Sequence, residues 1–404
     1  MLNLQKFNSM FFLILLCTPG CKRHTQAVSC QSSTSIPTQQ LKTSAPKTEH
    51  HLMVFIHGTL LPFPSLGCLG SALHTFLAKG RTLKKSWYQL YIDNLKHNSL
   101  FKYQPNGPDG LCPINASSSQ NASSSHSAQI AAALLTNFYQ ELFPHVQLSC
   151  YTFGWNGRLS HKKRVTAAHE LYCQLINELK RLNPKNTSII LIGHSHGGNV
   201  ILNLAQAEET YKQHLVIDKA ILLGMPVQSE TQSLIASPVF KSVYNCYSNG
   251  DGIQRLDFIS TKDDYSQRRF NITQQDTGAN KLTQIELTLG QYEPGHCELW
   301  LLWGKDNTFY REKLPIFPLP TFIFLPEIIQ QLEKVYPKPH DVLANIDQKD
   351  STYTLAIYDK SPHQEQPCSI DKELTIAMLP KKVFAPYVQA ILQNEHYKPR
   401  QTVL

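Results

Sequence analysis

Residues 188–202 constrain the fold more than any other stretch of this chain. Ser188-Ile-Ile-Leu-Ile192 is an apolar run of strand length that leads directly into Gly193-His194-Ser195-His196-Gly197-Gly198. An amphipathic helical pattern, Asn199–Ala207, starts at once. A strand that becomes a helix over so few residues must bend sharply, and bulk two residues to either side of the bend would clash. Gly193 and Gly197 occupy those two places. Such a turn lifts the Ser195 hydroxyl above the strand end, beside the positive end of a helix dipole. A glycine-rich turn alone carries no chemistry. The order of apolar strand, Gly-x-Ser-x-Gly and amphipathic helix is the more specific signal.

That strand is one of a series. Leu52–Ile56, Val146–Phe153, Lys219–Gly224, Val243–Ser248 and Thr283–Leu289 are further apolar runs of strand length. Helical patterns such as Val165–Leu182 lie between most of them. The alternation predicts an α/β chain with a mostly parallel sheet, right-handed crossovers and helices on both faces. The predicted catalytic domain covers residues 51–300, with an insertion at about 100–128. Residues 301–404 form a C-terminal extension to which no role is assigned.

The connection between the first two strands is oversized. It holds helical patterns around Ser71–Lys79, Trp87–Lys96 and Ala128–Leu142, and a polar stretch from Gln104 to Ser127 that repeats Asn-Ala-Ser-Ser-Ser. Its composition buries little apolar surface, and the stretch is expected to form a mobile surface flap.

At the N-terminus, Lys6 precedes the apolar run Met10-Phe-Phe-Leu-Ile-Leu-Leu-Cys17. The run is too short to span a bilayer and has the length of a signal-peptide core. Residues 1–20 are therefore expected to be a signal peptide, and the exported chain is expected to be either secreted or periplasmic, or anchored to a membrane by a lipid on Cys21. The small residues before Cys21 favour lipidation, whereas Thr18 stands where a lipoprotein box usually has Leu. Residues 21–50 are rich in Ser, Thr, Gln and Pro and read as a flexible tether.

Charged residues make up 17% of the chain, with a formal net charge of +8 and no run of like charge. No nucleic-acid partner is expected. Beyond Cys17 and Cys21 there are Cys30, Cys68, Cys112, Cys150, Cys173, Cys246, Cys297 and Cys368, an even set that export would allow to pair. Cys150, Cys173 and Cys246 fall inside regular elements, where cysteine usually acts as a small buried hydrophobe. No cysteine or histidine spacing points to zinc.

The Gly193–Gly198 segment resembles the nucleophile elbow of the α/β-hydrolase superfamily, particularly its lipase and esterase branches, which often carry Gly-His-Ser-x-Gly-Gly. The resemblance covers roughly Leu52 to Trp300 and extends to Val54-Phe-Ile-His57-Gly58-Thr59. It implies an α/β-hydrolase fold with Ser195 as nucleophile. Beyond His57-Gly58, Thr59 or Leu60 would give one backbone N–H to an oxyanion, and His196 would give the other. The segment Phe153-Gly154-Trp155-Asn156-Gly157 would line the pocket, with Trp155 either facing it or serving as a buried loop aromatic.

A serine hydroxyl needs a base, and the base needs an orienting acid. The superfamily orders them Ser, acid, His. Asp251 follows the run Val243–Ser248 in the turn Asn249-Gly250-Asp251-Gly252, and Asp257 is the second choice. His296 follows the run Thr283–Leu289, with His340 and His363 as weaker choices downstream. His194 and His196 are expected to pack rather than act as bases, and Glu298 to sit in a first helical turn. The resemblance implies cleavage of a carboxylic ester, of a lipid or other acyl substrate, through an acyl-enzyme, with no cofactor or metal required. An amidase or peptidase with the same triad remains open, as does a catalytically silent binding protein on the same scaffold.

Overall fold

All six apolar runs become strands of one sheet. The strands are β1 (Glu49–Ile56), β2 (Gly110–Pro113), β3 (Val146–Gly154), β4 (Thr187–His194), β5 (Ile217–Leu223), β6 (Phe240–Tyr247), β7 (Leu282–Leu289), β8 (Asp341–Lys349), β9 (Thr352–Asp359) and β10 (Leu374–Pro380). Helices whose bounds fall among the described residues include α1 (His161–Arg181), α2 (His196–Leu202), α3 (Leu204–Tyr211), the short α4 (Ser229–Gln232) and α5 (Leu325–Val335). The computed structural model describes residues 49–59, 109–114, 135–136, 138–182, 187–255, 266–272, 278–296, 298–300, 315–316, 319, 321–336, 339–349, 352–360 and 374–380. All of them belong to one compact unit, Lys47–Leu404.

The ten strands run in the order β10-β9-β8-β7-β6-β5-β4-β1-β3-β2. The pairs from β3 through β1 and β4 to β8 are parallel, while β2, β9 and β10 join antiparallel at the two ends. The chain is thus an α/β protein with a mostly parallel sheet. Strand β1 lies between β3 and β4, so the chain leaves β1 toward one side for β3 and returns to the other for β4. Ligands of open parallel sheets bind outside the strands' carboxyl ends at such a reversal.

Alternate side chains serve opposite faces. Met53 and Phe55 of β1 join Ile190 and Ile192 of β4, Leu223 of β5, and Ile328 and Leu332 of α5. Leu52, Val54 and Ile56 join Leu191 of β4, Ala168, Leu171 and Leu175 of α1, and Val200 of α2. Both faces of the central strands are covered, which is why these strands read as unbroken apolar runs. In α1 the buried residues Ala168, Leu171, Tyr172 and Leu175 recur at helical spacing and form its inward stripe. Truncating one such leucine to Ala costs about 2–5 kcal/mol.

Two expectations need correction. Residues 110–113, inside the predicted flap, form the edge strand β2, with Leu111 opposite Phe153 and Cys112 opposite Thr152. Pro113 is tolerated in this strand because β2 lies at the edge of the sheet, where a missing N–H breaks no ladder on the outer side; the rest of Gln104–Ser127, apart from residues 109 and 114, lies outside the described residues. In the C-terminal extension, to which the sequence assigns no role, β8, β9 and β10 extend the same sheet. The helix expected over Asn199–Ala207 is two helices, since the Asn203 amide donates to the Asn199 carbonyl at 2.7 Å and competes with the backbone there.

Cys150 and Cys246 are buried, Cys112 is partly buried and Cys173 is exposed; none of the four is in a disulfide. The exposure of Cys173 corrects the expected packing role, because position 173 falls between the buried stripe positions of α1. Burial pushes the Cys150 thiol up to about 11, and that of Cys246 higher still, so both are poor nucleophiles at neutral pH. Among the described residues no helix is long and apolar enough to cross a membrane. The expected signal peptide, tether and Cys21 lie outside the described residues.

Candidate active site

Ser195 sits between β4 and α2 with φ 52° and ψ −130°, a backbone conformation that only strong surroundings can impose on a serine. Its N–H donates to the Leu223 carbonyl at 2.9 Å, and its carbonyl accepts from Gly198 N–H at 3.0 Å. The glycines at the bend are required by contact. A Cβ on Gly197 would stand 2.3 Å from the Ile56 carbonyl oxygen, and one on Gly193 would stand 2.6 Å from Gly198 N. The serine is therefore wedged against the end of β1.

Asp251 and His296 approach from the ends of β6 and β7. His296 Nδ1 is 2.7 Å from Asp251 Oδ2, with both side chains buried. The other oxygen, Oδ1, accepts from the N–H groups of Ile253 at 3.0 Å and Gln254 at 3.2 Å. Asp251 is thus a turn residue and the histidine's partner at once, one oxygen for each role. Arg268 Nε donates to the Asp251 carbonyl at 2.8 Å and holds the turn from behind.

Gly224 brings this pair to the serine. It follows Leu223, the residue whose carbonyl receives the Ser195 N–H. A Cβ placed on Gly224 would lie 3.2 Å from Asp251 Oδ2 and 3.5 Å from His296 Nδ1. Ser195, Asp251 and His296 therefore converge at the carboxyl edge of the sheet, next to the reversal at β1. Among the described residues no hydrogen bond is made by the Ser195 hydroxyl. With Nδ1 committed to Asp251, Nε2 is the imidazole nitrogen left to exchange a proton with another group.

No family model matches the chain. Neither a curated protein nor a solved structure matches it. The site's chemistry therefore rests on this geometry alone.

The rival groups fall elsewhere. His340 precedes β8 and hydrogen-bonds through its carbonyl to Gln284 N–H, at the amino edge of the parallel strands, opposite Ser195. Asp257 and His363 lie outside the described residues. Glu298 lies in a turn after His296 rather than in a helix, and its carbonyl accepts from Thr321 Oγ1 at 3.1 Å. His194 and His196 are both buried, and that burial holds each imidazole well below its usual pKa. A repulsive histidine adds to the effect in His194, and Arg164 adds to it in His196. Both are neutral at physiological pH.

On the β1 side, Gly58 abuts Ser195: a Cβ there would meet Ser195 Cβ at 2.5 Å and Ser195 Oγ at 3.2 Å. Thr59 follows directly, and Leu60 lies outside the described residues. His196 is the first residue of α2, so its backbone N–H belongs to the unpaired first turn. Trp155 is only 2% exposed and packs into the core. Its indole N–H donates to the His57 carbonyl at 2.8 Å, its backbone N–H donates to His57 Nε2 at 3.2 Å, and the two rings stack. Trp155 is thus the buried loop aromatic of the two expected alternatives. It braces the turn that carries Gly58 and Thr59.

A groove of about 600 Å³ lies elsewhere, lined by residues including Leu111, Pro113, Tyr151, Gln174, Glu178 and Arg181. Glu178 there is bound by both Tyr151 and Arg181, and Gln174 accepts from Leu111 N–H, so its polar groups already satisfy one another. It contains none of the residues gathered around Ser195. Among the described residues no cluster of three or more His, Cys, Asp or Glu side chains is arranged to hold a metal ion.

Proposed function

We propose that this chain is a serine hydrolase of the α/β-hydrolase fold that cleaves carboxylic esters of lipid or other acyl substrates. The observation that carries the reading is the buried 2.7 Å pair of His296 Nδ1 and Asp251 Oδ2, beside a serine held at φ 52°. Structural turns need neither a strained serine nor a histidine tied to a buried carboxylate.

In the proposed reaction His296 Nε2 takes the proton from Ser195 Oγ as the oxygen attacks the acyl carbon. Asp251 fixes the tautomer with the proton on Nδ1 and stabilises the imidazolium that forms. The tetrahedral oxyanion is received by N–H groups of His196 and of Thr59 or Leu60. Collapse passes the proton from Nε2 to the leaving alkoxide and leaves an acyl-serine. Water then attacks the acyl carbon, gives its proton to Nε2, and releases the carboxylic acid and free Ser195 hydroxyl.

Turnover of p-nitrophenyl esters of increasing acyl length tests the reaction and reads out acyl preference, and matched anilides test amide cleavage. Ester turnover that disappears in His296→Ala supports the reading; undiminished turnover in that variant contradicts it. Membrane anchoring through Cys21 belongs to the same proposal. Cys21→Ser should then lose detergent partitioning, and unchanged partitioning contradicts the anchor.

A further inference from the structure

We propose that His194 is the positioning residue that anchors the catalytic histidine, an inference that rests on the serine-hydrolase reading above. The need for an anchor comes from the segment that carries His296. After β7 the chain closes a tight turn, with Leu289 and Tyr292 exchanging backbone hydrogen bonds at 2.8 and 2.9 Å. Between that turn and His296, no backbone–backbone hydrogen bond joins described residues. The base therefore sits on a length of chain without a ladder to hold it.

His194 supplies the hold. Its Nε2 is 3.0 Å from the His296 carbonyl oxygen. A carbonyl can only accept, so Nε2 carries the proton and donates. The two imidazoles also touch, with centroids 4.5 Å apart and planes at 40°. The His194 ring also contacts Trp300, stacked at 5.2 Å with planes 9° apart. Trp300 is in turn packed against Phe322 at 5.1 Å and Phe55 at 6.2 Å. An aromatic column thus stands on the core, with His194 at its top bearing on His296.

This arrangement fixes the base at both ends. Asp251 holds the imidazole at Nδ1, and His194 holds the backbone carbonyl of the same residue. His194 is also the last residue of β4, immediately before Ser195, so one strand end sets the nucleophile and the backbone of its base together. Burial keeps His194 neutral, which keeps it from competing for the serine proton and from repelling the imidazolium that forms on His296.

The test compares His194→Met and His194→Gln in the full chain. The two replacement side chains have similar length and flexibility, but only Gln can donate to the His296 carbonyl. The readouts are the rate constant of fluorophosphonate labelling per labelled site, into which an unfolded fraction does not enter, and kcat and KM on a p-nitrophenyl ester. H194M is expected to lose about 3–10-fold in kcat at unchanged KM, the scale of one hydrogen bond. Its labelling rate should fall in parallel. H194Q should recover most of the loss. If H194M gives no folded protein, His194→Phe, which keeps a ring and lacks the donor, takes its place with the same expectations. Labelling of wild type with an equal rate and an equal kcat in the donor-less variant would overturn the anchoring role alone. Absence of labelling in wild type would overturn both that role and the serine-hydrolase reading.

Discussion

Gly58 lies so close to Ser195 that a Cβ at position 58 would stand 2.5 Å from the serine Cβ and 2.9 Å from the His194 carbonyl oxygen. The end of β1 and the end of β4 are thus in contact at the nucleophile. Gly58→Ala must push one of them away, which should cost about 1–3 kcal/mol of stability. It should also reduce fluorophosphonate labelling. Denaturation midpoints and labelling rates check both effects; a variant of wild-type stability and rate would contradict this packing.

Asp251 has a partner for each carboxylate oxygen, and only one of them is catalytic in the proposed reaction. Asp251→Asn keeps the shape but cannot hold the required histidine tautomer, and kcat should fall by roughly 10³–10⁴-fold. Asp257→Asn should be close to wild type. The reverse ranking, read from ester turnover of the two variants, would move the acid to position 257.

His194 and His196 are both held neutral by burial. In the unfolded chain they titrate near the ordinary value of about 6.5. Below that pH the unfolded state takes up protons that the native state refuses, so stability falls with acidification and is retained above it. Each histidine contributes a slope of about 1.4 kcal/mol per pH unit, from about pH 6.5 down to its native value. Denaturant titrations between about pH 7.5 and 5 should show that decline, and it should be shallower in H194Q. An equal slope in both proteins would contradict the buried, neutral assignment of His194.

The C-terminal strands are tied to the acid turn. Glu286 of β7 accepts from Asn249 Nδ2 at 2.7 Å, two residues before Asp251, and is also bound by Lys360 just after β9. Lys360→Met would leave a largely buried carboxylate short of its cation, and a loss of about 1–3 kcal/mol is expected. Adding Glu286→Gln should recover part of that loss, which a double-mutant cycle measures. Additive losses would mean that the pair is not coupled.

The parts of the fold legible in the sequence were those buried on both faces. Leu52–Ile56 and Ser188–Ile192 are apolar at successive positions because helices cover both sides of the sheet there. Strand β8 buries Val342, Ala344 and Ile346 at alternate positions, and its apolar run Val342-Leu343-Ala344 is only three residues long before Asn345 interrupts it. Strand β2 is four residues inside a Ser- and Asn-rich stretch and owes its pairing to the edge of β3. In the site, Ser195 was legible because the bend forces glycine on both sides. Asp251 and His296 could be ranked only by their position after strands. His194 gave no such signal, since a side chain that holds a distant loop carbonyl leaves no pattern near its own position in the chain.

The central claim is that Ser195 is an activated nucleophile, and covalent labelling by a fluorophosphonate, with the modified residue located by mass spectrometry, tests it most directly. Wild-type protein is expected to take up one label, on Ser195. Ser195→Ala is expected to take up none while unfolding at the same denaturant concentration as wild type. A label located on another residue, or a Ser195→Ala protein that is labelled at the wild-type rate, would contradict the claim.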